Sequence, residues 1–293
     1  MIIKENSNEF VNKENIYQEI LDELEKDKGF FKISTDLQSE NLNENKKLFI
    51  NFCSKIGTLL SQNENGDRIL SVRDHSYNDN DPRTRGPNTN KKLSFHTDRC
   101  DVIGFLCLQP AKTGGENQII QSQRVSDIIS KERPDLYKTL CEKFPYKTHT
   151  IDPANPLLFC EQPIFSITDG YFACSYLRVL IDRADKDPEC PNLNDTQKEA
   201  LDFLDSVCER KILQTRFTMK KGDILFLNNW ITLHRRTAFN DFIESTKKRH
   251  LLRIWLSVPN SRPIHSAFRD NFGAVEAGAL RGGIKELNSK NYL

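Results

Sequence analysis

The segments LSFHTD at residues 93–98 and NNWITLHRR at residues 228–236 carry the residues that decide this fold. Successive side chains of an extended chain point to opposite faces, so His96 and Asp98 share one face and the residue between them points away. His234 follows a second apolar, strand-like stretch. Two imidazoles and one carboxylate are the ligand set that binds non-haem Fe(II) on one face of an octahedron and leaves three positions open. The sequence therefore predicts a metal site at these three residues.

Zinc accepts the same three ligands, so the ligand set alone leaves two metals open. A lone histidine in a strand is more often a packed core residue than a ligand. The carboxylate that follows His96 by two residues favours coordination, because buried polar groups need partners. The choice between iron and zinc rests on the arginines of a later strand.

The segment RHLLRIWLSV at residues 249–258 has the alternation of a strand that is covered on both faces. Its period of two places Arg249 and Arg253 on one face and His250 on the other, so we do not expect His250 to be a ligand. Buried arginines need anionic partners. A structural salt bridge would satisfy them. We favour a bound dicarboxylate, because a guanidinium binds a carboxylate through two parallel hydrogen bonds.

Composition narrows the class of protein. The 293 residues carry 42 basic and 41 acidic side chains, so no global charge favours nucleic acid or an anionic membrane. No apolar run is long enough for a transmembrane helix. The opening residues MIIKENSNEF lack the apolar stretch of a signal peptide. The eight cysteines form no C-x-x-C pair. We therefore expect reduced thiols, a cytoplasmic protein, and neither a membrane nor a nucleic-acid partner.

The order of elements predicts a mainly β fold with flanking helices and a double-stranded β-helix core, which is the jelly-roll or cupin-like architecture. Helices are expected at 14–27, 42–56 and 195–211, and as two pieces within 125–144 that break at Arg133-Pro134. Strands are expected at 29–33, 101–108, 118–122, 163–168, 171–180, 215–219, 223–229, 230–234 and 249–258.

We expect residues 1–293 to form a single domain. Its parts would be N-terminal helical and strand elements at 1–60, a jelly-roll core with helical insertions at 93–258, and a C-terminal tail at 259–293. Residues 76–92 (SYNDNDPRTRGPNTNKK) are too polar to bury themselves and must form a long loop. A plain connection is one interpretation. We favour a substrate lid, because the loop runs directly into the His96 segment.

The tail contains one Arg-Gly-Gly triplet at residues 281–283, a pattern found in RNA-binding segments. A single triplet in a nearly neutral chain is weak support for nucleic-acid binding. We expect the tail to wrap the roll or to contact a neighbouring subunit of a homo-oligomer.

Four motifs occur in the order seen in a known family: HTD at 96–98, DVIGFLCLQPAKTGGENQIIQS at 101–122, KGDILFLNNWITLHRRTAF at 221–239 and RHLLRIWL at 249–256. From about residue 68 to residue 283 the chain resembles the taurine dioxygenase-like (TauD/TfdA, clavaminate synthase-like) Fe(II)/2-oxoglutarate-dependent oxygenases. The resemblance implies that His96, Asp98 and His234 bind Fe(II) and that Arg249 binds the distal carboxylate of 2-oxoglutarate. It also implies O2 as the second co-substrate.

The resemblance also assigns reaction type and further contacts. Family members carry Thr or Ser shortly after the paired glycines, where it contacts the same carboxylate, and Asn117 stands there in this chain. Independently of the resemblance, Arg253 shares a strand face with Arg249. It would therefore meet the near carboxylate of 2-oxoglutarate or the anionic end of the substrate, and a salt bridge that supports the site is the alternative. Related halogenases have a small residue in place of Asp98, so its presence favours hydroxylation of an aliphatic C–H bond, with release of succinate and CO2.

The substrate is the least determined part of this interpretation. Besides Arg253, the candidate substrate contacts are Arg178 in a predicted strand, with no obvious neighbour, and Asp74 and His75 before the lid. We expect a small polar substrate that bears a carboxylate, with a free amino acid or an amino-acid-derived metabolite as the first choice.

Arg236 and Asn229 are expected to support the metal site through hydrogen bonds. The alternatives are desaturation or cyclisation by the same cofactors in natural-product biosynthesis, a zinc-dependent hydrolase, and a protein that binds 2-oxoglutarate without turnover.

Overall fold

The computed structural model describes residues 2–4, 15–26, 28–35, 39–78, 81 and 86–287. The strands are β1 Ile2–Lys4, β2 Phe30–Ser34, β3 Thr58–Leu60, β4 Ile69–Val72, β5 Val102–Gln109, β6 Thr113–Gly114, β7 Asn117–Gln121, β8 Lys143–Lys147, β9 Phe159–Pro163, β10 Phe165–Thr168, β11 Tyr171–Cys174, β12 Thr215–Phe217, β13 Asp223–Asn228, β14 Thr232–Arg236, β15 Phe239–Asn240 and β16 His250–Ser257. The α-helices are α1 Ile16–Glu25, α2 Leu42–Cys53, α3 Ser122–Glu132, α4 Pro134–Leu140, α5 Arg178–Asp185, α6 Asp195–Cys208 and α7 Arg269–Phe272.

Two sheets form the core of the roll. The larger has the strand order β1-β2-β13-β5-β16-β3, with β4 also paired to β16, and the smaller has the order β12-β7-β14. Ile119 of the smaller sheet packs in one buried cluster with Leu225, Leu227 and Leu251 of the larger sheet. Their side chains fill the space between the two inner faces, as expected for packed sheets. The predicted jelly-roll core with flanking helices is confirmed.

Helices cover the outer face of the larger sheet because its strands are apolar on both sides. Leu252 and Ile254 of β16 pack outward against Phe49 and Phe52 of α2. Trp255 faces inward, in the cluster between the sheets. The period-two pattern predicted for residues 249–258 is therefore confirmed. Helices α3 to α6 cover the smaller sheet with a second apolar cluster.

The strand predicted at 171–180 is wrong in its second half. The strand β11 ends at Cys174, and helix α5 begins at Arg178. The residue pattern of FACSYLRVLI (residues 172–181) suggested a strand. In the structure, however, the Arg178 guanidinium pairs with Asp182 one helical turn later. This pair and the contacts of α5 with β8 favour the helix, so tertiary packing overrides the local pattern. The hairpin of β8 and β9 was also not predicted.

Some predicted segments lie partly outside the described residues. Positions 14 and 27 of the first predicted helix do so, as do 79, 80 and 82–85 of the predicted lid and 288–293 of the tail. The described part of this predicted lid includes a short 3-10 helix at Gly86–Asn88. All eight cysteines are free. Among the described helices, none has the length and apolar character needed to cross a membrane.

The described part of the tail packs on the roll, as one of the two predictions for it required. Arg281 is only 2% exposed, and its Nε donates to Oδ1 of the buried Asp101 at 2.6 Å. The same carboxylate oxygen accepts from the indole of Trp230 at 2.8 Å. Gly282 has φ +82, and a Cβ there would lie 2.5 Å from the carbonyl oxygen of Arg99. The Arg-Gly-Gly triplet therefore anchors the tail to the roll, and its arginine is buried in the protein.

Replacement of this buried arginine should be strongly destabilising. The Arg281→Met variant leaves the Asp101 carboxylate buried without its cation, so we expect urea unfolding to show a loss of about 3–5 kcal/mol. The control is Arg269→Met, which removes an exposed ion pair with Glu276. The control should unfold at nearly the wild-type urea concentration. Equal stabilities of the two variants would contradict a structural role for Arg281.

Candidate active site

A cross-strand pair brings the two predicted histidines together. The backbone N–H of His96 donates to the carbonyl of His234 at 3.1 Å, and that of His234 donates back at 3.0 Å. Their rings are 4.5 Å apart between centroids. The ligand atoms of His96, Asp98 and His234 all lie within 4.8 Å of one another. Thr97 turns away, and its hydroxyl accepts a hydrogen bond from the backbone of Tyr176. The structure thus brings the three predicted residues to one point.

The protonation states suit a divalent cation. Burial, followed by the nearby His234, lowers the pKa of His96 to about 4, so its ring is neutral near pH 7. Its Nδ1 lies 2.9 Å from the carbonyl oxygen of Ser94, and donation there leaves the lone pair on Nε2. Burial alone would raise the pKa of Asp98, but the His234 imidazole and the Arg253 guanidinium hold it well below its usual value. The cluster therefore offers a neutral imidazole at His96 and an ionised carboxylate at Asp98.

The atoms of the cluster that could ligate a metal, Oδ2 of Asp98 and Nε2 of each histidine, lie close together. Oδ2 of Asp98 lies 3.2 Å from Nε2 of His234 and 3.9 Å from Nε2 of His96. This oxygen is buried and has no hydrogen-bond partner among the described residues, and the same holds for Nδ1 of His234. A buried carboxylate oxygen without a donor is costly unless a cation satisfies it. The residues present fit a metal ion.

Two side chains hold Asp98 in place. The amide oxygen of Asn229 accepts from the backbone N–H of Asp98 at 3.0 Å, which is a brace of the kind expected for this residue. Nη1 of Arg253 lies 3.6 Å from Oδ1 of Asp98. Gln62, fully buried, accepts from Nε of Arg253 at 2.7 Å. The sequence did not indicate a role for Gln62, because a polar residue just after the short strand β3 carries no signal of its distant partner.

A cavity of about 550 Å³ opens beside the cluster, and Arg249 lines it. This guanidinium is buried, and its Nη1 has no hydrogen-bond partner among the described residues. Its carbon lies 5.1 Å from the centre of the Phe239 ring. Burial lowers the pKa of Arg249 to about 10. Gly115 has φ +69, and a Cβ there would lie 3.4 Å from Nε of Arg249, so glycine leaves room for the arginine.

Asn117 and Arg236 stand opposite each other on β7 and β14 and both line the cavity. The amide nitrogen of Asn117 lies 3.5 Å from the carbonyl of Phe217, a long contact. Arg236 donates to the carbonyls of Thr89 at 2.8 Å and Lys91 at 2.5 Å. The prediction that Arg236 braces the metal ligands is therefore wrong in its partner: its hydrogen bonds hold the loop before the cluster.

The remaining substrate candidates are placed differently from expectation. Arg178 lines the cavity, but three carboxylates surround its guanidinium, those of Asp182 at 2.7 Å, Asp202 at 2.8 Å and Asp205 at 3.2 Å. The expectation that it has no neighbour is wrong. Two further candidates, Asp74 and His75, are not among the described residues that line the cavity. His75 stacks on Tyr77, with ring centroids 5.3 Å apart. His250 contacts Ser71 on the outer side, as predicted.

Comparison with known proteins identifies the family. Residues 10–255 match the family described as "Taurine catabolism dioxygenase TauD, TfdA family". The chain is 29% identical to FR-33289 synthase of Streptomyces rubellomurinus over 230 residues, which are 76% of this chain and 67% of that protein. It is 32% identical to the taurine hydroxylase-like protein SAT17 of Stachybotrys chartarum over 170 residues, which are 57% of this chain and 43% of that protein.

Solved structures share the fold at low sequence identity. An asparagine oxygenase in complex with Fe(II), 2S,3S-3-hydroxyasparagine and succinate superposes with a TM-score of 0.62 at 15% identity, covering 83% of this chain and 79% of that one. The non-haem iron oxygenase OrfP in complex with iron and alpha-ketoglutaric acid superposes with a TM-score of 0.61 at 13% identity, covering 83% and 80%. The chain therefore belongs to the TauD/TfdA family and is an Fe(II)- and 2-oxoglutarate-dependent dioxygenase.

Proposed function

We propose that His96, Asp98 and His234 hold the Fe(II), that Arg249 binds the distal carboxylate of 2-oxoglutarate, and that the enzyme hydroxylates an aliphatic C–H bond of a small carboxylate-bearing substrate. One observation carries the proposal. The buried Arg249 guanidinium shares a cavity with the three-residue cluster, and no carboxylate of the described residues lies within 4.0 Å of it. A buried cation without an anion calls for a bound one.

The chain's own residues supply binding, orientation and a dry site. The bound iron supplies O2 activation coupled to the oxidative decarboxylation of 2-oxoglutarate to succinate and CO2. Asn229 accepts from the backbone N–H of Asp98, and Arg253 lies beside Oδ1 of its carboxylate, so the two side chains orient Asp98. Arg249 orients 2-oxoglutarate from one end. Asn117, on β7 of the smaller sheet, is the further candidate for contact with the same carboxylate.

The charges of the cavity support an anionic substrate. Among the described residues that line it, the acids are Asp98 and Asp182, against nine lysines and arginines. Five of the nine form salt bridges with acids outside the lining, and Arg253 lies beside Asp98. The excess positive charge therefore rests on Arg183, Arg236 and Arg249, and it favours a bound anion. Arg253 and Arg178 are the basic residues that we propose for the substrate end. An amino acid fits this charge, and the structural relatives are described with hydroxyasparagine and with (3S)-hydroxy-L-Arg.

A zinc hydrolase has less support. It needs a general base close to the metal besides the ligands. Asp182, the second acid of the cavity lining, is already paired with Arg178 at 2.7 Å. Desaturation or cyclisation would use the same iron site and differ only in how the substrate lies. The mass of the product separates these outcomes, because hydroxylation adds one oxygen atom and desaturation removes two hydrogens.

Removal of the carboxylate ligand should abolish turnover and weaken metal binding. Loss of a partner that only supports a ligand costs about 10–100-fold in metal affinity or activity, so Asp98→Ala should lower succinate release by more than ~100-fold. Its bound iron, measured by elemental analysis after anaerobic loading, should also fall. The control is Asp135→Ala, which breaks an exposed ion pair with Arg133. Full turnover by Asp98→Ala would contradict the assignment of Asp98 as a metal ligand.

Loss of the Arg249 charge should weaken the binding of 2-oxoglutarate. Hydrogen bonds to charged groups contribute about 1.5–3 kcal/mol, so Arg249→Gln should raise the KM for 2-oxoglutarate by about 10–100-fold. Iron loading should stay at the wild-type level. The matched control is Arg216→Gln, which removes a surface pair with Glu116, the residue just before β7. An unchanged KM in Arg249→Gln would mean that the dicarboxylate binds elsewhere.

The substrate class can be tested with a panel of free amino acids and other small carboxylates. We expect at least one of them to raise the rate of succinate release above the substrate-free rate and to give a product heavier by one oxygen atom. The readouts are succinate yield and product mass. Turnover confined to carrier-tethered or large hydrophobic compounds would contradict the amino-acid proposal.

A further inference from the structure

Arg236 is a second buried arginine at the co-substrate end of the cavity. It lies two residues after His234 on β14, so it faces the same inner side of the roll. It is 6% exposed, and its Nε has no hydrogen-bond partner among the described residues. Its guanidinium carbon is 4.6 Å from the centre of the Phe239 ring, the ring that Arg249 also contacts. Two guanidinium groups therefore share one aromatic side chain.

Neither guanidinium has an ion-paired carboxylate among the described residues, although the charges of Asp74 and Asp241 act on Arg236 and that of Asp241 acts on Arg249. No carboxylate there lies within 4.0 Å of either guanidinium. The nearby Asp241 accepts from the backbone N–H of Arg249 at 2.8 Å, not from its side chain. Like charges in a medium of low dielectric repel each other strongly. An anion bound at this end of the cavity would relieve that repulsion.

Arg236 also holds the loop that precedes the metal cluster. Its two terminal nitrogens donate to the carbonyls of Thr89 and Lys91. Two backbone bonds flank them, from Leu93 N–H to the Arg236 carbonyl at 3.0 Å and from Phe239 N–H to the Asn90 carbonyl at 3.1 Å. Residues 86, 87 and 92–94, on either side of these anchors, line the cavity. The position of this loop therefore sets part of the cavity wall.

We propose that Arg236 is a positioning residue that couples 2-oxoglutarate binding to the docking of residues 89–93, an inference that rests on the proposed function. The dicarboxylate bound at Arg249 stabilises the second guanidinium in its present place. That guanidinium in turn holds the two loop carbonyls. Coupling between two sites is reciprocal, so a docked loop also raises the affinity for 2-oxoglutarate. The co-substrate would thus complete the substrate end of the cavity before the substrate arrives.

Two variants separate the charge of Arg236 from its geometry. Arg236→Gln removes the charge and the paired donors. Arg236→Lys keeps the charge, but its single ammonium does not reproduce the fork that reaches both carbonyls. The Arg216→Gln variant, on the surface of the same small sheet, is the control. All four proteins would be loaded with Fe(II) under anaerobic conditions and titrated with 2-oxoglutarate by calorimetry. Amide hydrogen exchange of residues 89–93 would be followed with and without the co-substrate.

In the wild type and in Arg216→Gln, 2-oxoglutarate should slow exchange at residues 89–93 by about 5-fold or more. Arg236→Gln should bind 2-oxoglutarate about 10-fold more weakly and lose the slowing. Arg236→Lys should keep most of the affinity but lose the slowing. Wild-type binding without any change in exchange would overturn the inference and leave the proposed function standing, and so would wild-type behaviour of both Arg236 variants. If 2-oxoglutarate fails to bind the wild type, the proposed function falls, and this inference falls with it.

Discussion

The pair of backbone hydrogen bonds between His96 and His234 is the constraint on which the rest of the site depends. It adds the segment before Asp98 to the smaller sheet and fixes its register. Because register fixes which side chains face inward, the same two bonds set both imidazoles and the carboxylate at one point. A slip of one residue would turn the ligands away from the cavity. The metal site is thus a product of sheet pairing.

Charge is distributed unevenly between the structural and the functional parts of the molecule. The buried Arg281 is paired with Asp101, and the half-buried Arg178 is surrounded by three acids. Arg249 and Arg236 are equally enclosed but have no carboxylate partner in the described part of the chain. The Arg281–Asp101 pair holds the tail on the roll, and the three acids around Arg178 tie α5 to α6. Arg249 and Arg236 line the cavity, where a small anion has access to them.

The sequence predicted the parts of this arrangement that depend on local periodicity. Alternation along 249–258 and the i, i+2 spacing of His96 and Asp98 were sufficient to place side chains on the inner face. The helix at Arg178 was not predictable in this way, because the acids Asp202 and Asp205 that stabilise it come from another helix. The loop contacts of Arg236 use backbone carbonyls, which leave no trace in the sequence. Local alternation thus predicts on which face of a strand a side chain lies. The partners of that side chain depend on packing against distant segments.

A crystal structure of the anaerobic complex with Fe(II) and 2-oxoglutarate tests the central claim most directly. The account predicts one metal ion bound by Nε2 of His96, Nε2 of His234 and a carboxylate oxygen of Asp98. The distal carboxylate of 2-oxoglutarate should pair with the guanidinium of Arg249. Iron bound away from these three residues, or 2-oxoglutarate turned away from Arg249, would contradict it.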